Sequence, residues 1–225
     1  MVYKPPNLLI TYFQWKYPSV LFHLPLPASQ RVVALTIDDA PSTHTGAILD
    51  LLKSHNATAT FFIIGSQLSS FEGSKNILER MLAEGHEIGN HAWEDEPSVS
   101  LPLSELERQV KEVEAIIPAN DKGAKYFRPG SGFFNSAMVE KVKALGYWVV
   151  LGSIYPHDPQ IHNPRINAAH VLSRLRPGGI IIMHDRREYS TQQVRLVLEG
   201  LEAKEWEAVN LGTLMRIKDE LEVKL

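Results

Sequence analysis

From residue 32 onward two kinds of apolar pattern alternate, and the alternation repeats seven times. Short runs rich in β-branched and aromatic residues read as strands buried on both faces. Val32-Val33-Ala34-Leu35-Thr36-Ile37 and Thr60-Phe61-Phe62-Ile63-Ile64 are the clearest. Longer stretches between them carry helical spacing, as in Ile48, Leu49, Leu51 and Leu52. Strands are expected at 32–37, 58–64, 87–89, 125–127, 147–151, 179–183 and 207–209. Helices are expected at 43–54, 74–83, 104–117, 135–145, 164–175, 191–203 and 213–220. Ser104 and Glu107 form a capping-box pattern, and Asn135 and Asn210 stand at cap positions. Gly65, Gly85, Gly146 and Pro177-Gly178-Gly179 punctuate the elements.

Apolar strands alternating with helices imply a parallel sheet covered by helices. The expected fold class is α/β, a distorted (β/α)7-type barrel with parallel strands surrounded by helices. A single domain over residues 1–225 is expected, with 1–30 as an N-terminal extension packed on the barrel. Residues 8–16 read as a short amphipathic helix in that extension. An open doubly wound sheet would place a glycine-rich phosphate loop after the first strand; Asp38 and Asp39 stand there instead.

Composition excludes several functions. With a net charge of −3 and no basic block, nucleic acid is not an expected partner. There is no cysteine, so any metal site must use Asp, Glu and His. No apolar run reaches the length of a membrane span, and no secretory leader pattern is visible. The compartment is left open, with the cytoplasm favoured over secretion. The sequon Asn56-Ala57-Thr58 borders a strand and is read as chance.

In parallel α/β folds the chemistry lies at the carboxyl ends of the strands. That address is polar strand after strand here, with Asp38-Asp39, His91 and Asp95, Arg128, Asp158 and His184. Two adjacent carboxylates raise one another's pKa unless a cation, an arginine or a shared proton compensates. A solvated Asp-Asp-x-Pro turn would carry the same residues. His91 and Asp95 are four apart, so on a helical segment they would share a face and could share a cation. With one carboxylate of the Asp pair they make three N/O ligands, as at a catalytic divalent ion. Glu94 is a rival ligand, and a solvated acidic loop is the bland alternative. Arg128 could pair with the other carboxylate. The amides of Gly130, Ser131 and Gly132 could approach an oxyanion, although a simple turn accounts for the same residues. His184 is a core residue or a functional one, and Asp185 could orient it or cap the next segment. Trp93, Phe133, Phe134 and Tyr155 could stack on sugar rings or fill core. His157 and His162 read as loop residues.

Five segments together resemble the polysaccharide deacetylase family, also called NodB-homology or carbohydrate esterase family 4. They are Thr36-Ile37-Asp38-Asp39-Ala40-Pro41, Thr60 through Gly65, Gly85-His86-Glu87-Ile88-Gly89-Asn90-His91, Arg128-Pro129-Gly130-Ser131-Gly132 and Gly179 through Asp185. The resemblance implies a NodB-like barrel. It implies Asp38 as general base, Asp39 and His91 as metal ligands, Arg128 as the group holding Asp38, and His184 as general acid. The Ser131 amide would bind the oxyanion, and Asp158 would support the catalytic groups from behind. The chain departs from the pattern where the second metal-binding His is Asp95. It departs again where the tyrosine of the third motif is Ser131, and where Tyr155 and Pro159 stand in the fourth. These mark a divergent subgroup.

The implied activity is metal-dependent hydrolysis of N-acetyl groups on an N-acetylglucosamine-containing glycan, of chitin, chitooligosaccharide or peptidoglycan type. The implied cofactor is one divalent ion, zinc first, with cobalt, nickel or manganese as alternatives. A hydrolase of a small N-acyl or cyclic amide and a glycan-binding pseudoenzyme are the other readings. The oligomeric state is open.

Overall fold

The computed structural model describes residues 7–223. In chain order the elements are α1 (Asn7–Lys16), β1 (Val20–Leu21), β2 (Val32–Ala40), α2 (Thr45–Ser54), β3 (Thr60–Ile63), α3 (Gly65–Ser70), α4 (Ser74–Ala83) and β4 (Glu87–Asn90). They continue with α5 (Leu103–Glu114), β5 (Tyr126–Phe127), α6 (Ser136–Ala144), β6 (Trp148–Val150), α7 (Pro164–Leu172), β7 (Ile180–His184), α8 (Ser190–Glu202), β8 (Glu207–Val209) and α9 (Leu211–Glu222).

The strands form one parallel sheet in the order β1-β6-β5-β4-β3-β2-β7, with β8 paired to the start of β2. Ile154, beyond β6, bridges Ile181 of β7, and His23, beyond β1, bridges Gly179. These contacts bring the two ends of the sheet together as a barrel. β2 is buried along its whole length and sits at the centre of the pairing. Ala34 to Asp38 register with Ile180 to His184 of β7, and Thr36 and Ile37 register with Thr60 and Phe61 of β3.

Strand alternation divides β2 between two environments. Val33, Leu35 and Ile37 belong to the outer core with Ile48, Leu49 and Leu52 of α2 and Val194, Val197 and Leu198 of α8. The intervening Thr36 and Asp38 face the barrel interior, where both meet Arg128. A second core joins α1, α5 and α6 to β5 and β6.

The expected elements are present, with differences. The sheet has eight strands among the described residues, not seven. The additional strand, β1, pairs with β6, so part of the 1–30 segment is barrel wall. Two ordered residues between Pro18 and Pro25 are too short a run to read as a strand. The α1 helix buries Ile10 and leaves Tyr12 and Trp15 exposed. No capping box forms at Ser104, because α5 already begins at Leu103 behind Pro102 and carries no side-chain cap. Glu107 instead takes Lys111 and Lys141. Asn135 and Asn210 cap as expected, accepting from the amides of Met138 and Thr213, and Asn163 caps α7 in the same way.

Candidate active site

At the end of β2 the two aspartates part company. Asp39 has φ of 65°, and the register against β3 shifts between Ile37 and Ala40. On a regular strand Asp39 would follow Ile37 to the outer face; this break in the pleat turns its carboxylate to His91 at the barrel mouth instead.

Asp38 stays inside the barrel. Arg128 Nη1 donates to Asp38 Oδ1 at 2.5 Å and to Thr36 Oγ1 at 2.8 Å. Its Nε donates to the Val150 carbonyl at 3.1 Å. The guanidinium carbon lies 4.1 Å from the centre of the Phe62 ring. Arg128 is 2% exposed, and burial pushes its pKa down against the pull of Asp38. A buried cation so fully bonded is held rigidly, and it holds its carboxylate in turn.

Asp39 turns to His91, whose Nε2 lies 3.7 Å from Asp39 Oδ1. His91 Nδ1 is 2.7 Å from the Arg128 carbonyl. A carbonyl only accepts, so Nδ1 is the donor there and Nε2 is the nitrogen that faces Asp39. Burial raises the Asp39 pKa; His91 and His184 oppose the shift, while Asp38 and Asp95 add to it.

His184 pairs in register with Asp38 across β7 and β2. Its Nδ1 lies 2.8 Å from Asp158 Oδ2. Asp158 is fully buried in the loop beyond β6, where Gln193 also donates to Oδ2 and the Tyr189 hydroxyl donates to the main-chain carbonyl. Burial lowers the His184 pKa, but the bond and charge of Asp158, with Asp38 and Asp39 beyond, lift it to about 9. At neutral pH the ring is protonated and Nε2 is a donor.

The loop after β5 turns at Ser131, with φ of 62°. The Gly130 amide donates to Ser98 Oγ and the Gly132 amide to the Pro129 carbonyl. Of the three amides expected to face an oxyanion, the Ser131 amide is the one not committed to these bonds. Gly130 is needed for another reason. A Cβ there would lie 2.1 Å from the Glu96 carbonyl oxygen, so its bareness lets the 96–98 segment close against the loop.

The expected third ligand is not gathered. Residues 91–95 are not helical, and Ala92 takes φ of 64°, with its amide bonded to Asn90 Oδ1. The turn removes the shared face on which the His91–Asp95 spacing relied. Asp95 is instead 58% exposed and paired at 3.3 Å with Arg186 Nη1. Glu94, the rival, is exposed as well. Among the described residues no group of three His, Cys, Asp or Glu side chains stands ready around a cation.

The Asp39–His91 pair nonetheless fits a divalent ion. It supplies one buried carboxylate and one imidazole lone pair, with the ring oriented by a carbonyl behind it. A cation there would relieve the strain on the Asp39 charge.

The aromatics separate. Trp93 lies half-buried against Gly65, where a Cβ would come within 2.3 Å of its ring. Phe134 is core, packed on Phe13, Tyr17 and Phe22. Tyr155 stands beside His157. Phe133 is 69% exposed next to Ser131. Asp185 neither orients His184 nor caps the next helix; it accepts from Ser42 and Thr45 and pins the start of α2. Sequence reasoning passed over Thr36, Phe62, Asn90 and Gln193. The usable signal was strand parity, since Thr36 and Asp38 are two apart on the inward face.

A family model described as polysaccharide deacetylase matches residues 26–150. A peptidoglycan-N-acetylglucosamine deacetylase of Bacillus cereus is 30% identical over 86% of this chain and 92% of its own. The peptidoglycan-N-acetylglucosamine deacetylase PgdA of Listeria monocytogenes is 29% identical over 88% of this chain, which spans 41% of that longer protein. The solved structure of peptidoglycan deacetylase PdaC from Bacillus subtilis superposes with a TM-score of 0.76 at 28% identity, covering 88% of this chain and 96% of that one. The barrel, the paired carboxylates at its mouth and these matches agree: the chain belongs to the polysaccharide deacetylase family.

Proposed function

We propose that this protein is a metal-dependent hydrolase that removes N-acetyl groups from N-acetylglucosamine-containing glycans of peptidoglycan or chitin type. The observation that carries this reading is the convergence of two buried pairs, Asp38 with Arg128 and His184 with Asp158, on adjacent registered strands. One pair fixes the base in place through a bonded guanidinium, and the other holds an acid protonated. A divalent ion, zinc first, would be held by Asp39 and His91 and would supply Lewis-acid charge and an acidified water.

Asp38 takes the proton of the attacking water while Arg128 keeps the carboxylate in place. The Ser131 amide donates to the oxygen of the tetrahedral intermediate. His184 gives its Nε2 proton to the departing amine, which leaves acetate and a free amino sugar. Phe133 offers an exposed ring to the sugar face. The named activities of the relatives on peptidoglycan support this substrate class.

The test is acetate release from peptidoglycan and from chitooligosaccharides, with zinc or cobalt and with a chelator. Ion-dependent release supports the reading. Binding of the glycan without release, at any ion, would move the protein to the pseudoenzyme reading.

A further inference from the structure

Arg186 follows His184-Asp185 on the loop beyond β7, and Asp95 stands on the loop beyond β4, 91 residues earlier in the chain. Their side chains meet at the mouth of the barrel, Nη1 to Oδ2 at 3.3 Å. Arg186 also lines a cavity with Pro41, Ser42, His44, Gln67 and Phe71, so it can turn away from Asp95 without entering the protein core. Both partners are partly exposed, 34% for Arg186 and 58% for Asp95. An ion pair in such a place is weak and exchanges partners readily.

Asp39 and His91 provide two donors, and no third completes the group among the described residues. Asp95 lies near enough for its charge to act on Asp39. It sits past the left-handed turn at Ala92, on a loop with no regular structure, so its position is not fixed by a helix or strand. A carboxylate offered a divalent ion and a weak arginine prefers the ion, because a doubly charged cation attracts it more strongly at equal distance.

We propose that Asp95 is a shared carboxylate, held by Arg186 when the metal site is empty and transferred to the metal when it fills, so that Arg186 sets the metal affinity by competing for the third ligand. This inference rests on the metal-dependent reading above. Arg186 is a positioning residue in it and touches neither substrate nor ion.

The test is a double-mutant cycle read by metal binding. Zinc and cobalt affinities are measured calorimetrically on the purified full chain, with the visible spectrum of the cobalt form as a second readout of ligand geometry. Arg186→Gln should tighten binding by up to about fivefold, the equilibrium equivalent of a surface ion pair. Arg186→Lys should restore the original affinity. Asp95→Ala should weaken binding and change the cobalt spectrum, and in that background Arg186→Gln should have no further effect. An equal gain from Arg186→Gln with and without Asp95 would show action by charge through space alone and would overturn the inference. So would an Asp95→Ala protein that binds the ion as tightly as the original. Both results leave the metal-dependent reading standing. Absence of any stoichiometric divalent ion in the unaltered protein would sink both together.

Discussion

Arg128 reaches from the end of β5 through the barrel interior to Asp38 on β2, and its four side-chain hydrogen bonds, to Asp38, Thr36, Val150 and Leu151, join β2 to the end of β6 and the residue beyond it. The base of the proposed reaction is thus bonded to a structural strut. Replacing the strut and replacing the base should have separable signatures. Arg128→Ala strands a buried carboxylate and should destabilise the protein by about 3–5 kcal/mol. Asp38→Asn keeps the shape and one acceptor, and should lower kcat by roughly 10²–10⁴ with a much smaller loss of stability. Thermal melts beside acetate-release rates check both, and an Asp38→Asn protein with unchanged kcat removes Asp38 from the base role.

The pH profile should carry the mark of Asp158. Because His184 is lifted to about 9, its acid form persists at neutral pH and is lost as pH rises through that value. kcat should therefore fall on the alkaline side near pH 9. Asp158→Asn removes the largest of the contributions that together overcome burial, so this limb should move down by at least about one unit. A limb that stays in place after the substitution would mean that another group titrates there.

Stability in acid should depend on a histidine far from the chemistry. His86 is 3% exposed and accepts the Ala59 amide through Nδ1, while Nε2 is buried with no hydrogen bond, 4.0 Å from Glu84 Oε2. Burial lowers its pKa to about 4, with Arg80 adding to the shift and Glu84 opposing it. The folded state therefore binds fewer protons than the unfolded one between this value and the ordinary histidine range. Stability is complete above about pH 6.5 and declines as pH falls toward 4, by roughly 3 kcal/mol in total. Urea titrations of the protein and of His86→Gln across this window should diverge, the variant showing the flatter curve.

Two substitutions around the loop after β5 should split binding from shape. Gly130→Ala forces a Cβ against the Glu96 carbonyl and should cost about 1–3 kcal/mol of stability along with activity. Phe133→Ala removes an exposed ring and should leave the melting temperature unchanged. On oligomeric substrate it should raise KM several-fold more than it lowers kcat. Equal kinetic constants for Phe133→Ala and the original would exclude Phe133 from the sugar site.

The barrel and most of its rim were legible because the signals were local. Thr36 to Pro41 and Gly179 to Asp185 each place strand, register and polar end in one short run, and the rule for strand ends then gathers Asp38, Arg128, Asp158 and His184. What was not legible depends on backbone detail or distant partners. The helical face expected for His91 and Asp95 is absent because an Asn90 side chain holds Ala92 in a left-handed turn, which no periodicity announces. The Arg186 partner of Asp95 is invisible to any local window. β1 was missed because two residues between prolines leave no pattern to count.

Three non-glycine residues in left-handed backbone, Asp39, Ala92 and Ser131, stand at the three turns that frame the site. Each is unfavourable by about 1–3 kcal/mol. Their freedom to drift differs. Ser131 contributes an amide and Ala92 only a bend, so glycine at either would relax the backbone and keep the feature that is used. Asp39 contributes its side chain and has no such exit. Over evolutionary time, positions 92 and 131 are therefore open to glycine, whereas the strain at 39 lasts as long as the carboxylate is needed.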